Sequence, residues 1–430
     1  MIRGQDGPMG TRHTITVERR PADDHLAGSY AEAARQTVER LAAAAGRARA
    51  MEAFDRLLCD GRRAEQVAAD GRPVVGYLCN FVPDELVLAA GAIPLRLDIG
   101  HGAIADAGGR VLPADVCPEV KALVGAQLGR LPYLEAADLL VVPTACDGKK
   151  KLARLMGEQR EVWLMELPQS RDAPRSRQLW LEETRALARR LERLTGRRIR
   201  RRALRQAIEL VNRRSRLARR LNELRWRDPS RLSGRDAFLV MQASFVADVG
   251  WWVEQADRLA QELEGPPHET KTAAGQGEPA VRVLLTGSPV LFPELQLLHL
   301  IEEAGAVIVA DEMCSGTQRL HNLTVLDEST VGGMVRASAE KTLMPCTCPC
   351  FVGGDLRVDR VLELVEASGA RGVIHHTLRL CQLFDLEAPR LSEALRQRRL
   401  PMLALHAEYG GEGAATLKNR VEAFIEMLQQ

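Results

Sequence analysis

The sequence predicts an α/β protein of two parallel-sheet lobes joined by a helical region and preceded by a helical extension. Three observations point there. Short apolar runs alternate with helix-period segments in 71–174, and the same alternation returns in 277–430. An arginine-rich, helix-period stretch separates the two blocks. Buried apolar strands alternating with helices are the mark of a parallel sheet covered on both faces. At 430 residues the chain is also long for one domain.

Residues 1–70 are polar and alanine-rich with helical spacing around Tyr30 to Leu58, which predicts an N-terminal helical extension. In the first block, Pro73 to Cys79 reads as a buried strand, Glu85 to Ala90 as a helix closed by Gly91, and Ile93 to Asp98 as the next strand. Leu139 to Pro143 and Val162 to Leu167 are two further strands. Residues 175–276 form an Arg-rich helical bridge and linker, with roughly three basic residues to each acidic one up to Arg235. Its basic face is expected to be a solvated helix surface, and Gly265 to Gln276 is a linker by composition. In the second block, Val281 to Thr286, Ala306 to Asp311, Gly372 to His375 and Pro401 to Leu405 are strands. Leu295 to Glu303, Arg357 to Ser368 and Lys418 to Leu428 are the helices, and Thr342 to Met344 reads as a short strand.

Composition excludes several functions. Lys+Arg 59 against Asp+Glu 57 leaves a formal charge of +2, so no global charge draws the chain to nucleic acid or a membrane surface. Aromatic residues are 4%, too few for a base-stacking platform. No stretch approaches the roughly 18 uncharged apolar residues that span a bilayer. The N-terminus has no apolar core of a secretory signal, and a cytoplasmic protein is expected.

Nine cysteines are the feature to explain. In a reducing compartment they are not a disulfide framework, which leaves core packing or metal binding. Cys79, Cys146 and Cys314 follow strands, Cys381 lies a few residues past one, and Cys117 opens a helical segment. Cys346, Cys348 and Cys350 bunch in PCTCPCF, and Cys59 sits on a helix face as expected of packing. Loops at the carboxyl ends of parallel strands converge on one rim, where ligands bind. A thiol there meets a helix N-terminus, which favours the metal-binding thiolate. The paired knuckles of zinc sites are absent, and His375 and His376, adjacent on one strand, would face opposite ways. Dispersed sulfur donors without histidine favour an iron–sulfur cluster over zinc.

At these residues the sequence resembles the 2-hydroxyacyl-CoA dehydratase and benzoyl-CoA reductase subunit family, and within it is similar to the double-cubane cluster proteins. The segments that carry the likeness are GYLCNFVPDELVLAAGAIPLRL (76–97), LPADVCPEVKALVG (112–125), DLLVVPTACDGKKKLARLM (138–156), VADEMCSGTQR (309–319), CPCFVGGDLRVDRVLELV (348–365) and ARGVIHHTLRLCQLFDLE (370–387). The sequence departs from the branch's pattern at Asp98, at Gly353-Gly354 and in the triple-cysteine cluster.

The resemblance implies Rossmann-like lobes with a cluster between them. It implies a double cubane, two 4Fe-4S units with a bridging sulfide, held by Cys79, Cys117, Cys146, Cys314, Cys348 and Cys381, where Cys346 or Cys350 can stand in for Cys348. It implies electrons from a separate dimeric ATPase activator that carries its own iron–sulfur cluster, a homodimer, and reduction of small molecules of the acetylene, azide or hydrazine type. The alternatives are a 2-hydroxyacyl-CoA dehydratase subunit with a single 4Fe-4S cubane, and a non-enzymatic electron carrier. No G-x-x-x-x-G-K-[ST] occurs, so ATP is expected on the partner. Lys149 and Lys150 are candidates to offset cluster charge. His375, His376 and Glu408, near expected strand ends, are candidate proton donors.

Overall fold

A computed structural model of the chain describes residues 25–44, 46–59, 62–266, 280–410 and 413–430. Most of the expected linker and the first part of the N-terminal extension lie outside the described residues. Three helices open the described chain: α1 (Leu26–Ala42), α2 (Met51–Cys59) and α3 (Arg62–Ala69). The first lobe follows as β1 (Val74–Tyr77), α4 (Asp84–Ala89), β2 (Ile93–Arg96), α5 (Gly102–Gly109), α6 (Pro118–Leu128), α7 (Pro132–Glu135), β3 (Leu139–Pro143), α8 (Asp147–Met156) and β4 (Val162–Met165). Four bridge helices come next: α9 (Pro174–Thr195), α10 (Arg201–Arg227), α11 (Gly234–Ala243) and α12 (Val249–Glu264).

The second lobe is β5 (Val281–Gly287), α13 (Gln296–Glu303), β6 (Ala306–Glu312), α14 (Gln318–His321), α15 (Val331–Leu343), α16 (Asp355–Ser368), β7 (Gly372–Leu378), α17 (Gln382–Gln397), β8 (Met402–Ala407) and α18 (Ala414–Gln429). The segment 342–344 is therefore not a strand. It ends α15, and Thr342 returns its hydroxyl to the Ser338 and Ala339 carbonyls as a residue of a last helical turn does.

The two sheets share one topology. Strand order is β2-β1-β3-β4 in the first and β6-β5-β7-β8 in the second, every pair parallel. In each, the chain leaves the central strand to one side and returns to the other, which opens a crevice at the strands' carboxyl ends. β7 runs three residues further than expected, to Leu378, because its ladder with β8 continues through Thr377 and Leu378. His375 and His376 consequently lie inside the sheet rather than at its edge.

The helices outside the lobes are not mere appendages. α1 and α2 bury Val38, Leu41, Met51 and Phe54 in the same apolar core as α11, α12 and β5. The basic face of α10 is largely solvated, as expected, but Arg214 and Arg225 turn inward. They pair with Asp84 of the first lobe and Asp311 of the second, at 2.6 and 3.2 Å. Helix α10 thus ties both lobes together through charge as well as through Leu204, Ile208 and Leu221.

α5 and α6 cross backbone to backbone. A Cβ on Gly125 would stand 1.8 Å from the Ile104 carbonyl oxygen, and one on Gly108 1.9 Å from that of Lys121. This close approach sets where the N-terminus of α6, and with it Cys117, points.

Candidate functional site: a thiol-lined cavity between the lobes

Seven of the nine cysteines line one cavity of ≈ 850 Å³: Cys79, Cys117, Cys146, Cys314, Cys348, Cys350 and Cys381. The first lobe supplies Cys79, Cys117 and Cys146, and the second supplies the other four. Parallel topology is the cause. Cys79 follows β1, Cys146 follows β3, Cys314 follows β6 and Cys381 follows β7, so all four stand at carboxyl ends of strands.

Local backbone aims them. Cys79 has φ +62° and Leu380, just before Cys381, has φ +65°, a region that side-chain-bearing residues rarely adopt. The Cys79 N–H donates to Asp98 Oδ2 at 2.9 Å, which holds that turn. Cys146 caps α8, and its sulfur accepts the Lys149 N–H at 3.4 Å. Cys117 and Cys381 occupy the N-cap positions of α6 and α17. Three helix N-termini therefore bring partial positive charge to the thiols.

The sulfurs meet across the lobes. The Cys117 thiol hydrogen-bonds Cys381, which pulls the Cys381 pKa down to about 6 and pushes that of Cys117 up. Cys348 and Cys350 influence each other in the same way, with Cys348 lowered by the Cys350 thiol and Cys350 raised. Burial pushes Cys314 up to about 12, against the pull of Arg96.

Buried cations surround the cavity. Lys149 Nζ lies 2.9 Å from Cys79 Sγ, 3.1 Å from Asp98 and 2.8 Å from Glu119. Burial and the neighbouring carboxylate raise Glu119 to about 7, while Lys149 and Arg96 overcome burial and hold Asp98 well below the usual carboxylate range. Arg96 pairs with Asp98 at 2.5 Å and reaches across to the second lobe, where its guanidinium donates to the Cys314 carbonyl and stands 3.8 Å from its sulfur. Arg357 stands in the opposite wall, donating to Thr286 Oγ1 at 2.7 Å and pairing with Glu312 at 3.2 Å. Asn80 and Gln318 close the seam between lobes at 2.9 Å.

The remaining sequence-derived candidates fall in different places. Lys150 lines the cavity but is half exposed and paired with Asp147 at 3.0 Å. Cys346 is buried and lines a smaller polar pocket with Asp84, Glu85 and Arg319, not the thiol cavity. Cys59 packs on α1, its thiol 4.0 Å from the Ala34 carbonyl. His375, His376 and Glu408 do not line the cavity. Both histidines are buried within β7, and burial lowers them to about 3 and about 4, so they are neutral at pH 7. Glu408 pairs with Arg379 at 2.9 Å. Sequence reasoning missed Arg96, Glu119 and Arg357 as members of the site. Glu119, two residues past Cys117, carried the only readable signal, an acid in the first turn of a helix opened by a cysteine.

The donor set suits a cluster of iron and sulfide. Seven thiols dominate the donors in the cavity, cations flank them, no histidine is present among the lining residues, and the nearest carboxylates, Glu119 and Glu312, are held by Lys149 and Arg357. Among the described residues no group of three or more His, Cys, Asp or Glu side chains is arranged for a metal ion. Thiols that stand around a cavity, rather than converging on a point, are what a polynuclear body needs and a mononuclear site does not.

Two parallel-sheet lobes that direct cysteines from both sides into one cleft define a class: a two-lobe α/β subunit with a thiol-lined centre. The chain belongs to the family described as "2-hydroxyglutaryl-CoA dehydratase, D-component", whose model matches residues 79–428. It is 31% identical over 361 residues to the Escherichia coli (strain K12) protein named "Putative dehydratase subunit YjiM", covering 83% of this chain and 92% of that one. It is 26% identical to a subunit of the benzoyl-CoA reductase of Thauera aromatica, over 80% of this chain and 88% of the relative. With the beta subunit of (R)-2-hydroxyglutaryl-CoA dehydratase from Acidaminococcus fermentans it shares 24%, over 84% and 93%. The homologues are dehydratase and reductase enzyme subunits, so the chain is of a dehydratase- and reductase-subunit type. No helix among the described residues is long and apolar enough to cross a membrane.

Proposed function

We propose that the chain is an iron–sulfur reductase of the double-cubane type, which takes low-potential electrons from a separate, dimeric, ATP-hydrolysing activator with its own cluster and reduces small molecules. The observation that carries this reading is the convergence of seven thiols, drawn from both lobes, on one cavity. Cys79, Cys117, Cys146, Cys314, Cys348 and Cys381 would hold the cluster, three from each lobe. Such a group supplies one-electron chemistry, at a potential tuned by charge, hydrogen bonding and exposure.

The residues of the chain set that environment. Lys149 places an ammonium against the first-lobe thiols, Arg96 spans to the second, and Arg357 lowers the Cys348 thiol from the far wall. Positive charge fixed beside a thiolate-rich centre stabilises the additional electron. Burial of these groups between the lobes keeps water from screening them.

A second reading is a 2-hydroxyacyl-CoA dehydratase subunit with a single 4Fe-4S cubane, favoured by the names of the curated relatives. Anaerobic purification with iron and acid-labile sulfide analysis separates the two. About eight irons per chain support the double cubane, about four the single one. A colourless protein that holds zinc alone would overturn both.

A further inference from the structure

A second cavity, of ≈ 120 Å³, lies behind the thiol site. Its walls come from α1, α6, α7 and the segment after α11, and include Tyr30, Leu123, Ala126, Leu131, Phe245 and Phe292. Arg96, Asp98 and Gln242 also border it, but their polar atoms are committed elsewhere. Arg96 pairs with Asp98 at 2.5 Å and donates to Asn80 Oδ1 at 2.7 Å. Asp98 also accepts from the Cys79 N–H and from Lys149. Gln242 donates to the Val290 carbonyl at 2.9 Å and accepts the Phe292 N–H at 2.6 Å. The Phe245 ring lies 4.3 Å from the Arg96 guanidinium, so an aromatic face covers the cation.

A space of this size, with walls that are apolar apart from two tyrosine side chains and with Arg96, Asp98 and Gln242 satisfied elsewhere, offers a water fewer partners than the two to four it needs. Cavities of that kind stay dry and take up small apolar molecules; one of roughly 150 Å³ binds benzene or xenon. We propose that this cavity is a binding site for a small, uncharged, apolar molecule of a few heavy atoms. Its position adds meaning to the site. The Arg96–Asp98 pair is the partition: one side borders this cavity, and the other touches Cys79, Lys149 and Cys314, which line the thiol cavity. A molecule held here is one ion pair away from the thiols.

The test uses the full chain, purified without oxygen and crystallised, then pressurised with xenon. An anomalous peak among Leu123, Ala126 and Phe245 is expected. Ordered water in that space, density continuous with residues 1–24, or no peak would overturn the proposal. In solution, xenon binding followed by its nuclear magnetic resonance shift should weaken at least tenfold in both Ala126→Leu and Ala27→Phe, which fill the space from different helices. Circular dichroism and iron content should be unchanged in at least one of them. Wild-type xenon affinity in either folded variant would place the binding elsewhere and sink the idea. Xenon uptake requires neither iron nor turnover, so its failure leaves the proposed function standing, and the reverse also holds.

Discussion

The Lys149 ammonium lies 2.9 Å from the Cys79 sulfur, and the same ammonium neutralises Asp98 and Glu119. One cation therefore serves a thiol and two buried carboxylates that reach it from three different elements. Its own helix begins at Cys146, whose sulfur accepts the Lys149 backbone N–H. Position 149 is thus bound to two of the thiols at once, one through its side chain and one through its backbone.

Replacing Lys149 by Met removes the charge while keeping bulk. The midpoint potential of the reduced centre should fall by at least about 59 mV, the one-electron equivalent of a tenfold change. Folding stability should fall by about 3–5 kcal/mol, since Glu119 loses its cation and Asp98 is left with Arg96 alone. Lys149→Arg should restore most of both. A redox titration followed by electron paramagnetic resonance, with denaturant unfolding in parallel, reads the two effects; an unchanged potential in the Met variant would show that the charge is not felt at the centre.

Single Cys→Ser changes at positions 79, 117, 146, 314, 348 and 381 should each lower the iron bound per chain. Cys59→Ala and Cys346→Ala should not, because Cys59 packs on α1 and Cys346 lines a different pocket. Cys350→Ser distinguishes these two neighbouring thiols: iron should be retained there and lost in Cys348→Ser. Metal analysis of the anaerobic variants is the measurement, and full iron in Cys348→Ser would exchange their roles.

Asp84 joins the lobes. Its carboxylate pairs with Arg214 of the bridge and Arg319 of the second lobe, both at 2.6 Å, and accepts the Tyr77 hydroxyl at 2.8 Å. Burial alone would raise its pKa, but Arg319 and Arg214 overcome that and hold it well below the usual carboxylate range. A carboxylate depressed by folding contributes stability that is present above its unfolded value of about 3.9 and is lost as pH falls toward the folded one. Wild-type stability should therefore decline below about pH 4 through this group, and Asp84→Asn should remove that component while costing about 3–5 kcal/mol at pH 7. Urea unfolding across pH 2.5–7 tests it. An Asn variant as stable as wild type at neutral pH would contradict the assignment.

Gly125→Ala should cost about 1–3 kcal/mol, the usual penalty of forcing atoms into a packed contact, because the new methyl meets the Ile104 carbonyl. As α6 is pushed off α5, Cys117 moves with it, and iron content should fall too. Ala at the neighbouring, roomier Gly109 serves as the control, with no backbone atom close to its added Cβ. Denaturant midpoints of the two variants separate helix propensity from the steric clash.

Much of this architecture was legible in the residues. All eight strands were readable in place as apolar runs, β7 being read three residues short, since the inner strands of a parallel sheet are apolar on both faces. The strand-end cysteines were readable for a related reason: a thiol placed just past such a run stands on the ligand-binding rim of any parallel sheet. The stretch 342–344 misled because Thr-Leu-Met is equally apolar at the end of a helix, and three residues carry no period. His375 and His376 were expected at a strand end because the polar pair interrupts the apolar run. The sheet runs past them by burying both imidazoles neutral. Arg214 and Arg225 stood among arginines otherwise facing solvent, and nothing local distinguished them; their acids lie 130 and 86 residues away.

By itself, then, the sequence determined the two-lobe α/β class, the repeated strand–helix order and the thiols available at strand ends, because periodicity, strand length and turn chemistry act over short spans. Which thiols meet was decided only in three dimensions. Cys117 meets Cys381 and Arg96 crosses to Cys314 because α10 and the Asp84 ion pairs bring the lobes face to face, while the α5–α6 crossing orients Cys117 and the fold of the first lobe brings Lys149 to Cys79. Electrostatic and packing interactions between residues far apart in the chain leave no periodic trace along it, so they become visible only once the lobes have docked.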